Sequence, residues 1–326
     1  MGDRKLLAAL KIVKEIRTKK TKSPTLSGFA GERKVAGGIE NDKRSGQMNK
    51  ILQNCASQTP LGAKKLKILL DKSFIQGTPK SEFQIFLNLH ECYLNETAFY
   101  ELLTTDRNKR ISAFSKLIKL NTRIKLVNNV GAFLRYENSM KKPCQPDNVL
   151  VTESEFCFNP KLILPEFKLC EKNDRDLAEW KEVTNCEING LIELTSTLPE
   201  IFPELNGFVV GSKPGLVEKI EQDLTEEKFL LKVFAFLIPQ FSAKFPSANL
   251  NWATVRWIQI KLIACLEIAR RYGLKPSLNE NSKKIENIFH DFSQLLPAAQ
   301  IDGIATNDKY LRKIYKMIKK SGEVYP

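Results

Sequence analysis

Two short apolar runs that stop at carboxylates constrain the fold of this chain more than any other feature. The first, Leu66-Lys67-Ile68-Leu69-Leu70, ends at Asp71; the second, Gly303-Ile304-Ala305, ends at Thr306-Asn307-Asp308. Consecutive apolar residues such as Ile68–Leu70 suit a strand covered on both faces, the habit of parallel sheets. Ligands of such sheets bind beyond the carboxyl ends of the strands, where Asp71 and Asp308 would stand. Cys92-Tyr93-Leu94 and residues 123–127 predict two further strands. Helical spacing between them is read over Ser81–Leu89 and from Glu96 to Leu103, with Asn95 as the cap of the latter. Alternating strands and helices predict an α/β fold with a central, mostly parallel sheet.

The text before and between these runs differs in texture. Residues 1–60 hold thirteen Lys+Arg against five Asp+Glu, and are read as a basic arm, either a phosphate-binding tail or a solvated terminus. The core text falls in two parts, 61–136 and 227–326. Between them, 137–226 is rich in proline and weak in periodicity. It is expected to be an irregular, partly helical insertion, with a helix over Asp174–Val183, serving as a lid or as a surface for a protein partner or second copy. The second core part carries a long helix from about Trp252 to Tyr272, stopped by Gly273, and a capping-box pattern at Ser277-Leu278-Asn279-Glu280. The next helix buries Ile285, Ile288, Phe292 and Leu295, places Asp291 at the edge of that face, and is expected to end at Leu295-Leu296-Pro297. In the last helix, after Asp308, Lys309, Arg312, Lys313, Lys316, Lys319 and Lys320 recur at steps of three and four and predict one basic stripe.

Charge and composition exclude some chemistries. The net charge of +14, from 51 Lys+Arg against 37 Asp+Glu, favours a polyanionic partner. Seven scattered cysteines form no C-x-x-C pair, which argues against a zinc site or disulfide framework and for reduced thiols in the cytoplasm. Two histidines, His90 and His290, supply a histidine-based metal site or a Ser-His-Asp triad poorly. The most apolar segments are too short or too charged to cross a membrane.

Four acids stand out by position: Asp71 and Asp308 after candidate strands, Glu101 and Asp291 at the edges of helical apolar faces. Parallel strands joined by right-handed crossovers would bring all four to one end of the sheet. Carboxylates so close repel, and some take up protons unless cations neutralise them. Oxygen-only ligands suit Mg²⁺ or Mn²⁺, ions that activate water and stabilise the leaving oxygen in phosphodiester cleavage. Each acid also has a plainer reading, as a turn residue, a helix cap or a solvated glutamate. Asp302 is a rival to Asp308 but would sit at the wrong end of its strand.

The order and character of these pieces resemble the PIN domain family of metal-dependent nucleases. The matching text is Ile68-Leu69-Leu70-Asp71-Lys72-Ser73, then Leu94-Asn95-Glu96-Thr97-Ala98-Phe99-Tyr100-Glu101-Leu102-Leu103, then Asn287 with Asp291, and finally Asp302-Gly303-Ile304-Ala305-Thr306-Asn307-Asp308. It covers roughly 65–135 and 227–326. The resemblance implies a three-layer α/β/α sandwich and RNA cleavage with Mg²⁺ or Mn²⁺. It makes Asp71, Glu101, Asp291 and Asp308 metal ligands, with Ser73, Asn287 and Thr306 as hydrogen-bonding support. Lys72, Lys309, Arg312, Lys313 and Lys316 are expected to hold the nucleic-acid backbone. Two other readings stand beside this one: a non-catalytic nucleic-acid-binding protein of the same fold, and a DNA-directed nuclease of flap-like substrates.

Overall fold

A computed structural model describes residues 65–118, 123–151, 160–168, 171–213, 215–245 and 247–326. The basic arm expected over 1–60 lies outside them.

Five parallel strands form the sheet: β1 (Lys67–Leu70), β2 (Glu91–Asn95), β3 (Ile124–Val127), β4 (Gly303–Ala305) and β5 (Glu323–Tyr325), in the spatial order β3-β2-β1-β4-β5. The register pairs Leu70 with Leu94 on one side and with Ala305 on the other. The chain lays down β1, β2 and β3 in one direction, returns to the far side of β1 for β4, and continues outward to β5. The order therefore reverses between β1 and β4. Such a reversal opens a crevice at the carboxyl ends of the two strands, and Asp71 and Asp308 flank it. Asp302 sits at the opposite end, where its carboxylate accepts from Lys67 N at 2.9 Å. It braces the start of β1 and is no rival for the site.

In chain order the described helices are α1 (Lys72–Gly77), α2 (Lys80–Leu89), α3 (Glu96–Thr104), α4 (Arg107–Leu117), α5 (Val130–Met140), α6 (Glu171–Ile201), α7 (Leu216–Asp223), α8 (Glu227–Leu237), α9 (Pro239–Lys244), α10 (Ala253–Tyr272), α11 (Leu278–Ala299) and α12 (Lys309–Ile318). Alternation along the strands sends side chains into two separate apolar cores. Ile68, Leu70, Cys92 and Leu94 pack with Phe74, Phe83, Phe86, Phe99 and Phe114 of the early helices. Leu69 and Tyr93 point the other way, into a larger core built by α5 to α8 and α10 to α12. The chain is thus mixed α/β with both faces of its sheet covered.

Three expectations need correction. In 137–226 the short helix expected over Asp174–Val183 is part of a much longer one. The main element there is a single 31-residue helix, α6, whose Ile188, Leu191, Leu194 and Leu198 are buried in the larger core. Its buried Glu187 pairs with Lys261 of α10 at 3.1 Å, so even the polar positions of α6 are integral. Helical spacing is present at Leu177, Trp180, Thr184, Ile188 and Leu191, but the recurrent prolines around it mask the pattern. Pro297 does not end α11, which runs on to Ala299; its ring forfeits one backbone hydrogen bond to the preceding turn, and the burial of Leu295, Leu296 and Ala298 holds the helix through it. Finally, the sheet gains a fifth strand, β5, at the C-terminus; at three residues it is too short to show a periodicity.

Caps elsewhere behave as their residue types dictate. Asn95 Oδ1 accepts from Thr97 N at 2.7 Å. Gly273 takes φ 81° as the C-cap of α10, a conformation that costs glycine nothing. Ser277 stands at the N-cap of α11 without a side-chain cap bond. Among the described residues Cys92, Cys144, Cys186 and Cys265 are free thiols. None of the described helices is long and apolar enough to cross a membrane.

Candidate metal centre

The end of β1 is built by a short hydrogen-bond network. Asp71 caps α1, and its buried Oδ2 accepts from Ser73 N at 3.1 Å, from Ser73 Oγ, and from Thr306 Oγ1 at 2.7 Å. Thr306 Oγ1 in turn accepts from Asp308 N at 3.1 Å. Ser73 and Thr306, assigned supporting roles from the sequence, thereby tie the ends of the neighbouring strands β1 and β4 together. Burial pushes the Asp71 carboxyl above its ordinary range, against the pull of these donors, and the charge of Glu101 adds to the rise.

Asp308 caps α12, its Oδ1 accepting from Leu311 N at 2.9 Å. Glu101, on the half-buried margin of α3, faces three partners. Lys72 Nζ and His290 Nδ1 each lie 3.6 Å from its Oε1, and Gln294 Nε2 lies 3.4 Å from its Oε2. Asp291, on α11 and half-buried, has its carboxyl pushed up to about 8, first by burial and then by the charges of Asp71, Glu101 and Asp308, with Lys72 partly offsetting them. Asp291 thus feels three acids that lie far from one another in the sequence.

Asn287 precedes Asp291 by one helical turn and is exposed. The basic residues divide their roles. Lys72 is turned on Glu101. Arg312 Nη2 donates to Asn307 O at 3.3 Å, and Lys316 Nζ donates to Gly322 O at 2.6 Å. Lys319 folds back on Ala299 O and Ile301 O, which removes it from any outward stripe. Lys309 and Lys313 are exposed.

Two residues that the sequence did not single out belong to this network. Asn307 donates from its backbone N to Ser73 Oγ and from Nδ2 to Ser73 O, both at 2.9 Å. Its amide fills the space beside Gly77, where an added Cβ would lie 2.4 Å from Nδ2. Lys116 is buried, and its ammonium donates to the carbonyls of Ile75 at 2.7 Å, Gln76 at 3.2 Å and Thr78 at 2.6 Å. It satisfies the C-terminal carbonyls of α1, the helix whose other end carries Asp71, and stabilises them as a cation should. The only sequence signal for Asn307 is its place between Thr306 and Asp308; for Lys116 there is none.

Among the described residues, no three His, Cys, Asp or Glu side chains form a ready ligand shell. Asp71 is held by hydroxyls, Glu101 lies against Lys72, His290 and Gln294, and Asp308 caps the first turn of α12. The chemistry of the donors nonetheless fits a hard divalent cation. All are carboxylate or hydroxyl oxygens, and a carboxyl raised to about 8 with three neighbouring acids contributing is one that a cation would relieve.

The chain matches no protein-family model, no curated protein and no solved structure at a significant level. Its function is therefore to be argued from this geometry.

Proposed function

We propose that this chain is a metal-dependent endonuclease of the PIN kind that hydrolyses RNA phosphodiester bonds in the cytoplasm. The fold would be the three-layer α/β/α sandwich of that family, with α6 added to one side. The observation that supports the reading is the hydrogen-bonded junction of Asp71, Ser73 and Thr306, with Asp308 N on the Thr306 hydroxyl, at the reversal point of a parallel sheet. Asp71, Glu101, Asp291 and Asp308 would hold Mg²⁺ or Mn²⁺, with Ser73, Thr306 and the exposed Asn287 as hydrogen-bonding support. The ion would supply an activated water and charge neutralisation at the leaving oxygen. Asp71 is fixed by Ser73 and Thr306, which sets the direction its free lone pairs present. Lys309 and Lys313, with the N-terminal arm, would hold the phosphate backbone.

One observation favours a second reading. Glu101 is already engaged by Lys72 and His290, as in a protein that keeps the fold and binds nucleic acid without cutting it. The two readings separate in one experiment. Matched RNA and DNA strands are incubated with Mg²⁺ or Mn²⁺ and with wild type, Asp71→Asn or Asp308→Asn. The nuclease reading expects metal-dependent cleavage by wild type, none by either variant, and binding retained or tightened as phosphate repulsion falls. Equal cleavage by all three would remove the acids from the chemistry. Binding without cleavage by wild type would establish the second reading, and a preference for DNA would reassign the substrate.

A further inference from the structure

Helix α6 contributes to both apolar cores. Leu177 and Trp180 near its start pack against the core of α1 to α4, whereas Ile188 to Leu198 lie in the core on the other face of the sheet. A helix of 31 residues is about 46 Å long at 1.5 Å per residue, enough to pass from one core to the other. The strands of the sheet lie between the two cores, so α6 has to cross beyond the sheet's margin, and its contacts show where. The Trp180 ring stacks on Tyr100 at 5.2 Å with the planes 28° apart, and lies 5.3 Å from the His290 ring at 37°. Tyr100 adjoins Glu101 on α3, and His290 adjoins Asp291 on α11. One half-buried indole thus touches the sequence neighbours of two of the four acids, one on each of two helices.

From this we infer that Trp180 is a positioning residue of the acid cluster: its ring spans α3 and α11 and sets the separation of Glu101 and Asp291. The inference rests on the reading of the cluster as a cation site. Three contacts make the coupling physical. His290 Nδ1 lies 3.6 Å from Glu101 Oε1, so displacing the imidazole displaces a partner of that carboxylate. Gln294, one turn along α11, reaches the other oxygen of Glu101 at 3.4 Å, so the acid senses the distance between the two helices directly. His290 Nε2 and Gln294 Oε1 are buried without a hydrogen-bond partner, so at these atoms packing, not hydrogen bonding, holds the side chains. Aromatic contacts of this kind are directional, which suits them to holding an angle between helices. The start of α6 therefore serves as the brace of the site.

The test measures Mn²⁺ binding to the full chain by the electron paramagnetic resonance of the free ion, with no turnover involved. Trp180→Phe keeps an aromatic ring, Trp180→Leu keeps apolar volume without one, and Asp291→Asn removes a proposed ligand. Thermal unfolding of each variant verifies that the protein compared is folded. Removing a group that orients metal ligands lowers affinity by about 10- to 100-fold, the effect expected of Trp180→Leu, while Trp180→Phe stays close to wild type. Wild-type affinity in Trp180→Leu, or equal loss in the Leu and Phe variants, would overturn the inference. If Asp291→Asn also bound Mn²⁺ like wild type, the cation site itself would fail. If only the Trp180 variants were silent, the site would stand and the brace would not.

Discussion

Two groups of carboxylate contacts occupy the interior of this molecule, and they solve the same problem in opposite ways. Glu137 of α5 has no exposed surface. Its oxygens accept from Ala253 N at 2.6 Å, Thr254 N at 2.9 Å, Thr254 Oγ1 at 2.7 Å and Cys144 N at 3.0 Å. Those donors include the first N–H groups of α10, so an anion sits where a helix N-terminus calls for one. Asp71 and Asp308, at the ends of β1 and β4, have fewer donors, and Asp308 is exposed. Burial raises both Glu137 and Asp291, but only at Asp291 do other carboxylates add to the rise. A buried acid is thus ordinary when the fold supplies its donors. An acid raised by other acids at a strand-order reversal is a candidate functional group, and it is the basis of the proposed cation site.

Substitutions sharpen this contrast. The largest effect falls on activity: Asp71→Asn or Asp308→Asn abolishes cleavage in a metal-supplemented nuclease assay with folding retained, whereas Glu137→Gln leaves the rate per folded molecule unchanged. The next is on stability. Glu137→Ala strands Cys144 N, Ala253 N and Thr254 N in the interior, and urea unfolding should show a loss of about 3 kcal/mol or more, since each stranded group costs about 1–3 kcal/mol.

A third effect is in the pH dependence of stability without divalent metal. The folded Asp291 carboxyl titrates at about 8 against an ordinary 3.8, so between these values the folded state holds a proton that the unfolded chain has released. That stabilisation is complete below pH 3.8 and is lost as pH rises towards 8. Melting temperatures of the metal-free protein should fall across this window, and Asp291→Asn should flatten the fall. An unchanged slope would show that Asp291 does not feel its neighbours. The smallest effect is at Gly77. Alanine there displaces the Asn307 amide from Ser73 O, a net loss of about 1 kcal/mol by thermal unfolding.

The parts of the fold most legible in the sequence are those governed by local chemistry. Consecutive apolar residues mark β1, Asn95 marks the start of α3, and Gly273 marks the end of α10, because each is fixed by burial or by backbone freedom within a few residues. The meeting of Asp71 with Thr306 at the ends of β1 and β4 follows from strand endings and parallel topology together. What escapes is decided by tertiary contact. The text around α6 is punctuated by prolines, and nothing local announces that Ile188 and Leu191 will be buried under α10. Between β1 and α2 stands a helix, α1, only six residues long and stabilised from outside by Lys116. The basic residues of α12 do recur with a helical period, but a period cannot say that Lys316 and Lys319 will fold back on carbonyls.

The proposed function centres on the replacement of a proton by a cation among these acids. Calorimetric titration of Mn²⁺ into the protein at pH 7, in two buffers of different ionisation enthalpy, measures the protons released on binding. With the Asp291 carboxyl at about 8, release of about one proton per ion is expected from wild type and none from Asp291→Asn. Binding with no proton release, or identical release from the variant, would contradict it.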